Sequence, residues 1–256
     1  MYKRQDYRNI FIANDIDRYS QRVAASASYR YRNPLTSFFA NASLTYNYSR
    51  SSLMSNQLFI DDFIVSTYAD RLSASHFWSV SGGVSKGLGH SRMVVGLDME
   101  ATVNSASSMR DNIVEDYSQQ TLGVKPYFRG SLCKWLSVNY DANYGYTRLK
   151  IGESDNATHS FNQKLHAIVM PHDRWQFTAG VEHFLTRFPE GNVENLVLLD
   201  ASAVWHVSSK VRLSLTADNL LDKRHYQYVT YGALSRSEHS FRIRPRNLLA
   251  SLQYRF

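Results

Sequence analysis

The sequence predicts an all-β protein, a transmembrane antiparallel up-and-down β-barrel of about 12 strands. Three observations carry this. Apolar and polar residues alternate over runs of about ten residues, longer than the ~5–6 of ordinary soluble strands. Short turns alternate with longer polar loops. Aromatic residues make up 13% of the chain.

The first hairpin sets the pattern. Val23, Ala25, Ala27, Tyr29 and Tyr31 share one face, with Ser26, Ser28, Arg30 and Arg32 on the other. Asn33-Pro34 turns the chain. Phe38, Ala40, Ala42, Leu44, Tyr46 and Tyr48 return it, opposed by Asn41, Ser43, Thr45 and Asn47. The unit recurs over 70–86 and 93–103, and again over 122–133 and 136–147. It recurs over 158–170 and 175–181, and over 196–207 and 211–217, before a last strand at 248–256. That makes eleven strands, and residues 2–12 are expected to supply another. Ten residues at roughly 3.3 Å, tilted near 45°, span about 23 Å, close to the ~25 Å apolar band of an outer-membrane barrel.

Short turns are expected at 33–36, 87–90, 133–134, 171–173 and 208–209, and longer outer loops at 51–69, 107–115, 151–157, 188–195 and 219–245. Trp135, Trp175 and Trp205 lie beside short turns, where an interfacial aromatic belt places them. The second face, rich in Ser, Asn and Thr with spaced charges, suits a wet lumen. Lipid offers no hydrogen bonds, so a sheet crosses it only with its ladder closed. Pro126 falls mid-strand and predicts a bulge or an edge position.

Composition excludes other classes. The aromatic content excludes a disordered chain. One Cys in 256 residues excludes an internal disulfide. No run of 18 apolar residues reads as a membrane helix. The net charge of +7 is scattered, with no dense basic run beyond Arg242–Arg246, so no nucleic-acid partner is expected. No apolar segment follows Met1–Asp6, so no secretory signal is read there: either the protein stays in the cytoplasm or the chain lacks its true beginning.

The C-terminus is the sharpest local feature. Leu252, Tyr254 and Phe256 place apolar and aromatic side chains at alternate positions to the last residue. This looks like the signal by which the barrel assembly machinery recognises outer-membrane barrels, through strand addition at an open edge. Upstream, VRLSLTADNLLDKRHY resembles the penultimate strand of TonB-dependent receptors, through Asn219, Leu220, Leu221, Asp222, Lys223 and Tyr226. Leu221 stands for the more usual Phe, and His225 adds one residue before the Tyr. The resemblance covers residues 211–256.

The resemblance implies the C-terminal half of a barrel of about 22 strands in the bacterial outer membrane. Residues 1–256 would be one barrel domain, truncated before residue 1, without plug or signal peptide. It implies energy-coupled uptake of a nutrient such as a siderophore, cobalamin, glycan or peptide. Coupling would come from a TonB-type protein acting on the absent plug. Lipid and lipopolysaccharide would surround the wall. A complete 12-stranded passive pore and an outer-membrane barrel enzyme stay open as alternatives.

Chemistry beyond transport is sparse. Nine His and one Cys form no HExxH or CxxC pattern, so no catalytic, cofactor or metal residues are assigned and no cofactor is expected. Asp61-Asp62, and Asp111 with Glu115 and Asp116, lie on expected outer loops and are the residues an enzyme would draw on. In loop 219–245, Tyr231, Arg236 and Arg242 are candidates for gripping a ligand, while Tyr226 and Tyr228 read as an upper girdle.

Overall fold

The structure, a computed structural model, describes residues 9–11, 19–61, 63–89, 92–231 and 236–256; side chains are described over 19–61, 63–89, 92–228 and 239–256. In chain order the strands are β1 (Asn9–Phe11), β2 (Ser20–Asn33), β3 (Phe38–Ser51), β4 (Met54–Ile60), β5 (Phe63–Ala69), β6 (Ser73–Gly87), β7 (Val94–Arg110) and β8 (Ile113–Cys133). They continue with β9 (Leu136–Ile151), β10 (Ser154–His172), β11 (Trp175–Arg187), β12 (Val193–His206), β13 (Val211–Asp218), β14 (His225–Tyr231), β15 (Arg236–Arg242) and β16 (Asn247–Tyr254).

Eleven strands form one antiparallel meander in the order β2, β3, β6 through β13, then β16. These are the eleven strands expected from the alternation. The all-β, up-and-down architecture therefore stands. The sheet is open: among the described residues β2 pairs β3 alone, and β16 pairs β13 alone.

Four expectations are corrected. Of residues 2–12, only 9–11 are described, and β1 pairs in parallel with β5 outside the meander. The loops expected at 107–115 and 151–157 are mostly strand, closed by tight turns at Asp111-Asn112 and Gly152-Glu153. Asp111 and Asn112 both take positive φ (48° and 67°), which makes a hairpin turn matching strand twist. Polarity suggested loops there, but a strand standing in water is polar on both faces. Loops 51–69 and 219–245 contain hairpins of their own, β4–β5 and β14–β15. Pro126 makes neither bulge nor edge. The β8–β9 ladder skips Lys125 and Pro126 and resumes in the same register, from Val124–Tyr144 to Tyr127–Asp141. A proline needs no ladder partner for an N–H it lacks, so the sheet tolerates it with the loss of two residue pairs on that side.

The pairing carries one face across the whole meander. Ala27, Leu44, Val80, Ala101 and Leu122 lie in one cross-strand row. Val138, Ala167, Ala179, Ala201, Ala217 and Leu248 lie in another. The opposite face is knit by hydroxyl pairs, Ser43–Ser81 at 2.7 Å, Ser131–Ser137 at 2.8 Å and Ser214–Ser251 at 2.6 Å. Among the described residues nothing covers the apolar face: Leu44, Val80, Met99, Leu165, Leu215 and Leu252 are exposed. Among the described residues no large side chain is fully buried. A soluble sandwich would bury this face against a second layer.

Register also sets the slope. Asn33, at the turn end of β2, leads through paired residues Phe38, Lys86, Val95, Phe128, Tyr140, Leu165 and Val181 to Leu199. Leu199 stands seven residues from His206, the turn end of β12. Seven residues at ~3.3 Å over eight strand spacings of ~4.8 Å incline the strands by about 30°. Transmembrane barrels incline theirs by roughly 35–45°.

Candidate functional site

The outward face is bounded by two polar-aromatic rows. At the short-turn end Trp175 stacks on Trp205 at 5.2 Å and on Phe177 at 5.7 Å. At the other end, Tyr46, Tyr144, His183 and Asn219 each stand eight residues beyond the start of their strand at Phe38, Leu136, Trp175 or Val211. Eight residues at ~3.3 Å, inclined by about 30°, rise about 23 Å. Tyr46 packs on Trp78 at 4.3 Å and hydrogen-bonds His76 Nδ1 at 3.0 Å. Tyr144 bonds His159 Nδ1 at 2.9 Å. A chain crosses four strands: Tyr140 donates to Gln163 Oε1, Gln163 Nε2 donates to His183 Nδ1, and His183 Nε2 donates to Asn195 Oδ1, each at 3.0 Å. The hydrogen bonds of His76, His159 and His183 were not legible in the sequence, because each occupies an apolar register position.

The inward face carries an open groove of about 580 Å³ lined by Asp98, Lys125, Tyr127, Arg129, Asp141 and Lys164 among others. Charges alternate across it. Asp98 lies opposite Lys125, Arg129 bonds Asp141 at 2.9 Å, and Lys164 pairs with Glu182. Exposed pairs of this kind contribute ~0–1 kcal/mol each. Their arrangement gives a wetted, mixed-charge wall rather than a field of one sign.

The motif residues form a clamp at the outer end of β13. Asn219 takes positive φ (50°) and is 6% exposed. Its backbone N–H donates to Asp200 Oδ1 at 2.7 Å. Its side-chain Nδ2 donates to the carbonyls of Lys223 at 2.7 Å and Arg244 at 2.8 Å, while Oδ1 accepts from Lys223 N–H at 3.0 Å. Asp222, also at positive φ (51°), accepts from Arg246 N–H at 3.0 Å and from the Arg224 guanidinium at 2.9 Å. Arg224, then the Arg246 amide, hold the Asp222 carboxyl below its ordinary range, and Asp222 in turn raises Arg224. Leu220 N–H caps the Leu199 carbonyl at 2.8 Å. Leu221 is exposed. Asparagine tolerates the left-handed backbone and satisfies both chain stems at once.

The clamp presents the β14–β15 hairpin. Tyr226, Tyr228, His239 and Phe241 share one face, with Tyr228 stacked on His239 at 4.7 Å and on Phe241 at 5.7 Å. Tyr226 lies 6.0 Å from Phe184, which belongs to the inward register of β11. The expected girdle role for Tyr226 and Tyr228 is thus corrected: a loop that folds back over the inward side carries its tyrosines there. Burial raises the Tyr226 phenol, with the charge of Glu194 adding to it. Tyr231 and Arg236 are backbone partners across the hairpin, but their side chains lie outside the described residues. Arg242 is exposed, opposite His225 at the stem. Phe184, His239 and Phe241 were missed; period-two alternation within 225–242 was the available signal.

At the C-terminus, Leu252 and Tyr254 are exposed on the free-edge strand β16, Phe256 is exposed two residues past its end, and Tyr254 meets Phe256 edge-on at 5.2 Å. Asp111 Oδ1 accepts from Phe59 N–H at 2.9 Å, and Asp116 accepts from Ser107 at 2.6 Å; Asp62 lies outside the described residues. Among the described residues no group of three metal-ligating side chains occurs.

No family model matches the chain, and no curated protein matches it. Solved structures do. The siderophore receptor PiuA of Acinetobacter baumannii aligns at 8% identity and TM-score 0.49, over 82% of this chain and 42% of that one. The ferric yersiniabactin uptake receptor FyuA of Yersinia pestis aligns at 9% identity and TM-score 0.32, over 93% and 54%. The monoaromatic hydrocarbon channel TodX aligns at 10% identity and TM-score 0.32, over 93% and 75%. The chain thus spans less than half the length of PiuA.

Proposed function

We propose that the chain is part of the wall and an outer hairpin of a bacterial outer-membrane receptor for energy-coupled uptake of a small nutrient. The observation that carries this is the uncovered apolar band, about 23 Å high between two polar-aromatic rows, on an inclined sheet whose other face is polar. The band matches hydrocarbon, and the inward groove matches a wet passage.

Strand number supports a larger barrel. In an antiparallel meander of eleven strands, the first and last run in the same direction. Joining β16 to β2 would be parallel pairing, and so would a ring of two copies facing the same way. All-antiparallel closure needs an odd number of further strands. Half of a barrel of about 22 strands meets that condition. So would one additional strand, which is the arithmetic of the 12-stranded pore.

In this reading a plug fills the passage, and a TonB-type protein pulls on it. The barrel assembly machinery engages Leu252, Tyr254 and Phe256 on the free edge of β16. Siderophore, cobalamin, glycan or peptide are the cargo classes, received by the β14–β15 hairpin and Arg242. No catalytic step belongs to the proposal.

The test is uptake by cells carrying the protein, before and after the proton gradient is collapsed. Energy-coupled transport stops. Continued uptake would identify a passive pore, and protein recovered outside the outer-membrane fraction would reject both.

A further inference from the structure

We propose that the outer edge of β5 is a docking site for an extended peptide, which adds to the β4–β5 hairpin as a strand in the place of β1. The edge already takes a strand. β1 runs parallel to β5 through Asn9–Ile64, Ile10–Val65 and Phe11–Ser66, and so covers three of its seven residues. Parallel pairing is slightly weaker per residue than antiparallel pairing, and three pairs make a short seam. On its other edge β5 is held by seven antiparallel pairs to β4. The hairpin in turn is fixed to the rim of the wall. β4 pairs in parallel with β7 at Asn56–Met109 and Gln57–Arg110. Asn56, 2% exposed, donates from Nδ2 to Asn112 Oδ1 at 2.8 Å. Asp111 Oδ1 accepts from Phe59 N–H, and Asp111 N–H donates to the Gln57 carbonyl, both at 2.9 Å. Leu53, Met54, Val65 and Met109 are buried. A support held in this way is preorganised, so an incoming strand has only itself to order.

Apolar side chains standing in water select the occupant. The Asp111-Asn112 turn lies eight residues beyond Val103, which pairs with Trp78 of the upper aromatic row. At the inclination of the wall that is about 23 Å above the apolar band. Here Phe59, Ile60 and Phe63 at the hairpin tip are exposed, as are Val114 and Ile113 past the neighbouring turn, Ile113 at 66%. The Arg110 guanidinium lies 4.8 Å from the centre of the Phe59 ring and still leaves that ring exposed. Phe63 adjoins Ile64, the first residue of β5 that β1 pairs. Lipid does not reach this height, and an apolar cluster in water marks an interaction surface. Protection of an edge by itself calls for charges or a proline, not for apolar neighbours. Strand addition uses both features: the backbone ladder gives affinity, and alternate side chains fill apolar contacts beside it. The peptide that fits is therefore extended, with apolar residues at every second position.

The test uses the full chain refolded in detergent, with a fluorescent peptide of residues 7–13, YRNIFIA, as the probe. Ile10→Pro in the full chain removes a ladder donor from β1 and frees the edge. It should tighten probe binding by about tenfold, because the competing occupant is lost. Two methylated probes then read the geometry, since successive N–H groups of a strand point to opposite edges. One carries N-methyl groups on Arg8, Ile10 and Ile12, the other on Asn9, Phe11 and Ala13. One set should lose binding and the other keep it. The double variant Phe63→Ser/Ile113→Ser, made on the Ile10→Pro chain, should weaken the probe by about tenfold. Equal binding of both methylated probes overturns the proposal, because an apolar contact without a ladder would treat them alike. So does equal binding by the parent and Ile10→Pro, or full binding by the double variant. Absence of binding to Ile10→Pro overturns it as well. The site stands above the wall and is read by binding, so its failure leaves the uptake reading untouched, and loss of energy-coupled uptake leaves this result untouched.

Discussion

The ring of Tyr127 on β8 lies across Gly96 on β7, its directly paired neighbour on the inward face. A Cβ at Gly96 would fall 2.2 Å from Cζ of that ring, so no other residue fits beneath the tyrosine as it stands. Gly96→Val should force the ring out and cost about 1–3 kcal/mol. The urea midpoint of the refolded protein checks this. An unchanged midpoint would mean that the ring is not held there, whereas Gly96→Val with Tyr127→Ala should recover part of the loss.

Asn219 is the residue on which the outer hairpin hangs. Asn219→Ala removes three side-chain hydrogen bonds and leaves a non-glycine residue at positive φ. The stem of the hairpin should open locally by about 2–4 kcal/mol. Limited proteolysis within 223–246 should quicken at least tenfold, while the meander stays protected. Asn219→Asp, which keeps the acceptor and loses the donors, should fall between.

The same stem should respond to acid. The Asp222 carboxyl lies below its unfolded value in the closed stem, so its contribution is complete above the ordinary carboxylate range. That contribution is lost as pH falls through the lowered value. Hydrogen exchange at the Arg246 amide should be steady from pH 7 to about 5, after correction for intrinsic rates, and accelerate below about 4. In Asp222→Asn the amide should exchange faster at neutral pH and show no such step.

Faces can be told apart by charge. Leu215 is 53% exposed on the outward face near mid-band, and Thr216 lies on the inward face. Leu215→Arg should cost roughly 2–4 kcal/mol in a bilayer, and Thr216→Arg far less. Equal costs for the two variants would reject the assignment of lipid and lumen.

The end of β16 gives a kinetic prediction. Phe256 is fully exposed beyond an unpaired edge, so it adds little to the folded sheet. Phe256→Ala should slow assembly into the outer membrane several-fold and leave the unfolding free energy within about 0.5 kcal/mol. Normal assembly of the variant would remove the recognition role.

Alternation of side chains by itself determined the number of wall strands, their faces and the short turns. Period two is a local property, and a face that meets hydrocarbon must be written residue by residue, as in Leu213, Leu215 and Ala217. The places of Trp175 and Trp205 beside short turns were legible for the same reason. Only the tertiary structure decided how far the strands extend beyond the band, because Ser107–Glu115 is as polar as a loop yet pairs on both sides of its Asp111-Asn112 turn. It alone decided that Pro126 interrupts one ladder without shifting it. It decided that His183 belongs to a hydrogen-bonded chain across four strands, and that Asn219 ties together Lys223 and Arg244. Those outcomes depend on which strand lies beside which, and in what register. Pairing across strands is a sum of many weak contacts between separate runs, and no single strand's sequence records it.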